Sequence, residues 1–294
     1  MDGPLLVTGA AGLTGTRFLA RLAASGHAGR VRAAVKDGAQ WARIAGLPLD
    51  LEPVIGDLSD EALMATAAKG AERVLHLATI YLTPSLMRAA EDASHLVLVH
   101  TTGRFSRLKS AAEGYVRIEE PVLAAPRVTV LRPTMIYGGS EDRMMSRLVR
   151  FMARSPAVPV FGRGANLMQP VHAGDLADAY LAALGKGPGG AYDLPGPEPI
   201  PFRAMLRDIS AALGRRHLQV PVPIPAARAA VRALGPRSPL NDEQILRMTE
   251  DKDFDWTAAA RDLGYAPRPF AEGIAQQVAA MGLTPTRSSR GASR

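Results

Sequence analysis

The chain has 294 residues, 47% of them hydrophobic, no cysteine and a formal net charge of +7. That length and apolar content fit one large core or two unequal ones and exclude a disordered or fibrous chain, while no apolar run approaches the ~20 residues of a membrane-spanning helix. Without cysteine there are no disulfides, thiol nucleophiles or thiolate metal sites, so a cytoplasmic location is expected, as is the lack of a signal peptide in the short lead Met1–Pro4.

Taken in chain order, the apolar run Leu5–Thr8 reads as a strand and Gly12–Ala24 as the helix that follows it. Further strands are expected at Val31–Val35, Leu51–Ile55, Arg73–Leu77, His95–His100 and Val128–Arg132. Helices are expected at Glu61–Lys69, Pro84–Asp92 and Ser106–Ala125, the last kinked or ended early by Pro121, which lacks an N–H. Strands alternating with helices predict an α/β fold with a doubly wound parallel sheet. Between Gly138 and Pro239 prolines and glycines break the chain into short pieces, the pattern of a smaller cap. The expected division is 1–195 for a dinucleotide-binding domain with a cap insertion around 139–168, 196–283 for a C-terminal substrate cap, and 284–294 for a disordered tail. Arg287, Arg290 and Arg294 of that tail supply three of the seven net charges, so no nucleic-acid partner is expected.

The segment Thr8-Gly9-Ala10-Ala11-Gly12-Leu13-Thr14-Gly15 joins the first strand to the first helix. A strand feeding a glycine turn and a helix N-terminus aims several backbone N–H groups and the positive end of the helix dipole at one point, which suits a pyrophosphate. Glycine at positions 9, 12 and 15 lets the backbone turn tightly with no Cβ in the way. His27, His76, His95, His100, His172 and His217 show no metal-ligand spacing. No Gly-x-Ser-x-Gly elbow marks a hydrolase.

Six segments together resemble the extended and atypical short-chain dehydrogenase/reductases, including the NAD-dependent epimerase/dehydratase and NmrA-like groups. Thr8–Gly15 resembles their TGxxGxxG loop, Gly56-Asp57-Leu58 the GDL segment at the adenine, and His76-Leu77-Ala78-Thr79 the fourth-strand end beside the ribose. Leu131–Gly138 resembles the LRPxxxYG segment, whose proline, Pro133 here, lies near the nicotinamide. Gln169–Ala177 resembles PVHVDDLA, and Leu263–Pro267 the LGYxP close. The resemblance implies a Rossmann domain with a smaller C-terminal substrate cap. It implies cofactor contacts at Thr8, Gly9, Gly12, Leu13, Thr14, Gly15, Asp57, Leu58, Leu77, Ala78, Thr79 and Pro133.

After the second strand stands Lys36, with Arg17 near the first helix and Arg32 within the strand, which favours pairing with the 2′-phosphate of NADP. Asp37 is the alternative, an acidic ribose partner suited to NAD. The family's Tyr-x-x-x-Lys pair is missing: the six tyrosines are followed four residues later by Ser85, Glu119, Glu141, Leu184, Gly196 and Pro269. Alignment back from Glu119 or Glu120 puts the family's tyrosine at Ala111 or Ala112 and its lysine at Tyr115 or Val116. Thr101 resembles the strand-end Ser/Thr that hydrogen-bonds the reacting oxygen, or simply ends a strand. Tyr115 is a candidate proton donor or a half-buried aromatic on its helix. His100 and His172 are candidate proton carriers or simply hydrogen-bonded. Asp175 is expected to cap the helix it opens.

Nucleotide-sugar members of the family carry an arginine where Met168 stands, and a thioether cannot clamp a diphosphate. The segments Ile80–Leu82, Met135–Tyr137 and Met144–Met145 suit a small apolar substrate, or belong to the core. The expected function is thus an NADP-dependent reductase acting on a small apolar carbonyl or unsaturated compound through Thr101 and Tyr115, with no metal. The alternatives are a non-catalytic NADP-binding sensor or scaffold and a sugar epimerase or dehydratase. The expected partner is a small-molecule substrate, with no nucleic acid and no membrane. The short stretch from Thr79 to His100 leaves room for one helix, which removes the family's usual pairing helices and leaves monomer or homodimer.

Overall fold

The computed structural model describes residues 3–142, 144–235 and 242–284, so the expected tail at 284–294 falls almost wholly outside the described residues. Six strands form where apolar runs predict them: β1 (Leu5–Thr8), β2 (Val31–Val35), β3 (Leu51–Ile55), β4 (Arg73–His76), β5 (His95–Val99) and β6 (Val128–Pro133). A seventh strand, Ala191–Leu194, pairs with β6 and completes the order Ala191–Leu194, β6, β5, β4, β1, β2, β3, all parallel. Its four residues sit behind glycines and a proline and carry a tyrosine and an aspartate, too little pattern to stand out as a strand.

Side chains alternate across the sheet and feed two cores. Leu5, Val7, Val97 and Leu131 point to one face, under α1 (Leu13–Ala24) and α7 (Ala173–Lys186). Leu6, Leu96, Leu98 and Val130 point to the other, under α3 (Glu61–Ala68) and α4 (Thr83–Ala89). Strands buried on both faces read as continuous apolar runs, which is why they were legible. Between β2 and β3 lies the short α2 (Gly38–Ala42), whose N-cap is Asp37.

α5 (Lys109–Leu123) runs through Pro121 and ends two residues later, short of Ala125. A proline in the last turn removes only one helical bond, so it shortens the helix rather than breaking it. Two other expectations are corrected. α7 is capped by His172, whose Nδ1 accepts the Gly174 N–H at 3.1 Å, and Asp175 stands at its third position. Arg32 is spent on a helix end, donating to the carbonyls of Ala67 and Lys69 at 2.8 Å each beside the favourable C-terminal dipole of α3.

The chain divides into two units. The first takes the residues up to Ile136, Gln169–Pro197 and Phe254–Pro267. The last of these segments departs from the expected 196–283 cap: Ala259, Leu263 and Tyr265 join the α1/α7 core, and the Tyr265 hydroxyl donates to the Pro195 carbonyl at 2.5 Å. The second unit takes Tyr137–Met168, Glu198–Asp253 and the residues from Arg268 on. In it α6 (Met145–Arg154) precedes the strand Ala157–Phe161, which pairs with Leu218–Val222, and helix Phe202–Ala212 packs on Phe270–Ala280. The buried Gln277 accepts the Gly138 N–H at 3.0 Å and donates to the Gly139 carbonyl at 2.9 Å. Tyr137 and Met145, expected as candidate substrate lining, are buried in this unit, the Tyr137 ring packed at a 58° tilt against Phe270 at 5.0 Å between ring centres.

Candidate active site

Strand order reverses between β1 and β4, the switch point where open parallel sheets bind ligands at their carboxyl ends. The turn after β1 and the turn after β4 touch there. A Cβ on Gly9, whose φ is +66°, would lie 3.1 Å from the backbone of Leu77 and Ala78. One on Gly15 would sit 2.5 Å from the carbonyl oxygens of Gly9 and Ala10, so α1 reaches the strand end only because that side chain is missing.

The first helical bond of α1 runs from the Thr16 N–H to the Gly12 carbonyl. The amides of Leu13, Thr14 and Gly15 therefore precede it and, among the described residues, have no acceptor. No side chain caps this end and no acidic residue stands in its first turn. The end of α1 thus offers converging donors and a positive dipole to an anion and no competing carboxylate, and a dinucleotide pyrophosphate fits it.

A buried network fixes the facing turn. Thr8 Oγ1 accepts the Ala78 N–H at 3.3 Å and lies 2.7 Å from His76 Nδ1, while His76 Nε2 lies 3.3 Å from the Thr79 carbonyl. A carbonyl only accepts, so Nε2 carries the proton and Nδ1 accepts from the Thr8 hydroxyl. Complete burial lowers the His76 pKa to about 4, holding it neutral. Thr8 is therefore a strut for Leu77–Thr79.

After β2, the Asp37 carboxylate accepts the Gln40 N–H at 2.8 Å as a helix cap, and Lys36 is exposed beside it. The Asp57 carboxylate accepts the Ser59 N–H at 2.9 Å, which with the Ser59 side chain and the nearby Lys36 charge lowers its pKa. Leu58 is buried in the core. Pro133 closes β6 and its carbonyl accepts the Thr102 hydroxyl at 3.3 Å.

At the end of β5, Thr101 Oγ1 accepts the Gly103 N–H at 3.0 Å, and among the described residues nothing accepts its own proton. Tyr115 stands opposite: a Cβ on Gly103 would meet the Tyr115 ring at 3.0 Å and Thr101 Oγ1 at 3.2 Å. Tyr81, which the sequence placed in an apolar wall, lies 6.1 Å from the Tyr115 ring, and that neighbour raises the pKa of the Tyr81 phenol. His100 does not face them. It is buried between the Thr83 hydroxyl (3.1 Å) and Glu119 (2.9 Å).

Glu119 is the centre of an ionic knot that sequence reasoning missed. Its buried carboxylate takes His100, Arg104 and the Arg132 Nε at 2.8 Å, and Arg132 reaches Asp193 at 3.3 Å. Burial alone would raise the Glu119 pKa, but the bonds from His100, Arg132 and Arg104 outweigh it and hold the value at about 2. Both guanidinium groups also lie against the Phe105 ring, 5.4 and 5.5 Å from its centre. The partners come from four separate segments, so no local spacing signals them. Among the described residues no group of three His, Asp or Glu side chains could hold a metal ion.

Fold and switch-point geometry define a parallel-sheet dinucleotide-binding protein. Residues 5–103 and 88–194 match the NAD dependent epimerase/dehydratase family, and the chain belongs to it. It is 34% identical over 140 residues to the Arabidopsis thaliana mitochondrial NADH dehydrogenase [ubiquinone] 1 alpha subcomplex subunit 9, covering 46% of this chain and 33% of that protein. Thus it spans about a third of that relative's length. A Stigmatella aurantiaca 4-hydroxy-2-methyl-3-oxo-4-farnesyl-3,4-dihydroquinoline-1-oxide ketoreductase is 26% identical over 310 residues, 89% of this chain and 91% of that one. The dTDP-glucose 4,6-dehydratase DesIV of Streptomyces venezuelae, solved with NAD, shares the fold at a TM-score of 0.73 and 20% identity, covering 95% and 97% of the two chains. No described helix is long and apolar enough to cross a membrane.

Proposed function

We propose that the protein is an NADP-dependent reductase of an apolar carbonyl or unsaturated compound. The observation that carries this reading is the pairing of Thr101, whose hydroxyl proton is uncommitted, with Tyr115 across Gly103. Bound nicotinamide would supply the hydride. The amides of Leu13, Thr14 and Gly15 would hold its pyrophosphate, Leu77–Thr79 and Asp57 would flank the ribose and adenine, and Lys36 would read the 2′-phosphate. Asp37, already a helix cap, is the weaker ribose partner.

Thr101 orients the substrate oxygen and Tyr115 donates the proton it gains. The missing lysine bears on direction. Oxidising an alcohol needs a base to take its proton, and the lysine that would help a phenol act as one is absent, whereas reducing a carbonyl needs only a phenol proton to donate. The similarity to a ketoreductase along about nine-tenths of both chains supports the same direction and an apolar substrate.

A second reading, a non-catalytic cofactor-binding scaffold or sensor, draws on the absent Tyr-x-x-x-Lys pair and on the similarity to a respiratory-complex subunit. Titrating the protein with NADPH and NADH, then following nicotinamide absorbance with a panel of ketones and enones, separates the two. Turnover that falls at least about a hundredfold in Thr101→Ala and Tyr115→Phe supports the reductase. Tight binding of both redox forms without turnover replaces it with the scaffold.

A further inference from the structure

We propose that the outer face of α6 docks this protein onto a lipid surface of net negative charge. The helix buries Met145, Ser146, Val149 and Met152 in the second unit. The helical repeat places Arg147, Arg150, Phe151 and Arg154 together in an arc of about 100° on the opposite side. All four are exposed, and they line an open groove of about 500 Å³. The Arg215 guanidinium donates to the Ala153 carbonyl at 2.6 Å and the Leu218 N–H to the Pro156 carbonyl at 2.9 Å, so residues 215–218 run along the end of the same helix. They add two cations, Arg215 and Arg216, and Leu218, which is 69% exposed.

Among the described residues no carboxylate pairs with Arg147, Arg150 or Arg154; Arg150 donates to Ser146 Oγ at 3.2 Å and to the Ser140 carbonyl at 2.8 Å. The contrast lies in the same unit, where Arg228 and Arg232 of helix Ile224–Leu234 close on Asp242 at 2.6 and 3.0 Å. A row of cations without counter-charges calls for an anionic complement, and a second copy would set arginine against arginine. Nucleic acid would use the charge and could stack a base on Phe151, but it offers no apolar phase to cover the aliphatic Leu218. A lipid surface uses both components, guanidinium groups at headgroup phosphates and Phe151 and Leu218 at the acyl boundary. This departs from the expectation of no membrane partner, and it is independent of the reductase reading.

The test is vesicle flotation of the full chain with phosphatidylcholine alone and with about a third phosphatidylglycerol. The protein is expected to float only with the anionic vesicles and to be released at high salt. Replacing Arg147, Arg150 and Arg154 by Gln should weaken that binding roughly a hundredfold, replacement by Lys should preserve most of it, and Phe151→Ser should cost several-fold. Melting temperatures matched to the parent show that each variant folds. Changing Arg287, Arg290 and Arg294 to Gln should leave flotation intact. The proposal fails if the parent does not float, if the helix variants float as well as the parent, or if the tail variant alone abolishes binding. It also fails if an oligonucleotide, and not the vesicles, binds through these arginines.

Discussion

The turn after β1 and the turn after β5 face the same end of the sheet but are made of different material. The first presents backbone: three amides with no acceptor among the described residues, held close by glycines whose missing side chains let α1 and the β4 turn approach. The second presents side chains, Thr101 and Tyr115, backed by the buried Glu119 knot. A site made of amides depends on the glycines that shape it and on the Thr8 strut behind them, whereas one made of side chains fails wherever a supporting partner is lost.

The largest effect that would sharpen this contrast is expected behind the second turn. Glu119→Ala strands Arg104 and Arg132 in a buried site and should cost about 3–5 kcal/mol in urea unfolding. A loss no larger than that of Asp242→Ala, which removes the two surface ion pairs to Arg228 and Arg232 and should cost little, would show that the knot is not structural. Next comes acid sensitivity. His76 is held neutral in the fold with its pKa at about 4, below its unfolded value of about 6.5. The unfolded chain therefore takes up the proton first, so stability should be complete above pH 6.5 and decline by on the order of 3 kcal/mol as pH falls toward 4. Glu119, depressed to about 2, adds a further loss between its unfolded value and that pH. Stability curves that are flat between pH 6.5 and 4 would contradict the assigned burial of His76.

At the first turn, Gly15→Ala pushes a methyl into two carbonyl oxygens and should cost about 1–3 kcal/mol together with cofactor affinity. Gly38→Ala, where nothing lies within 4 Å, is its neutral control. Thr8→Val removes the acceptor for Ala78 and the donor for His76, and should cost about 1–3 kcal/mol, while Thr8→Ser keeps both bonds. If serine fails as badly as valine, the hydroxyl is not the strut. The smallest effect is expected from Lys36→Ala, about a tenfold weaker binding of NADPH with NADH little changed, read by fluorescence titration. Equal losses for both cofactors would remove Lys36 from phosphate recognition.

The same difference in material explains what could be read in advance. Six strands and the glycine turn were legible because buried parallel strands and side-chain-free turns leave local marks, apolar runs and glycines at fixed places. The strand Ala191–Leu194 was not, because its identity comes from pairing with β6 and not from its own four residues. Thr101 and Tyr115 could be picked out only by the resemblance, and their meeting across Gly103 needed the fold. The Glu119 knot joins residues up to 93 positions apart, from Glu119 to Arg132 to Asp193 at one end and back to His100 at the other, so no window of sequence contains it. Tyr81 looked like one more apolar neighbour until its ring was set beside Tyr115.

The return of Phe254–Pro267 to the first unit carries a consequence for the order of events at the ribosome. Trp256 donates from Nε1 to the Pro197 carbonyl at 3.2 Å and meets the Tyr265 ring edge-on at 5.9 Å, and the Tyr265 hydroxyl reaches back to Pro195. The sheet is fully synthesised once Leu194 has emerged, yet one wall of its core is not delivered until some seventy residues later. Until then the nascent chain exposes the apolar groove that Ala259, Leu263 and Tyr265 will fill, and a fragment stopped after Pro197 should remain a client of chaperones.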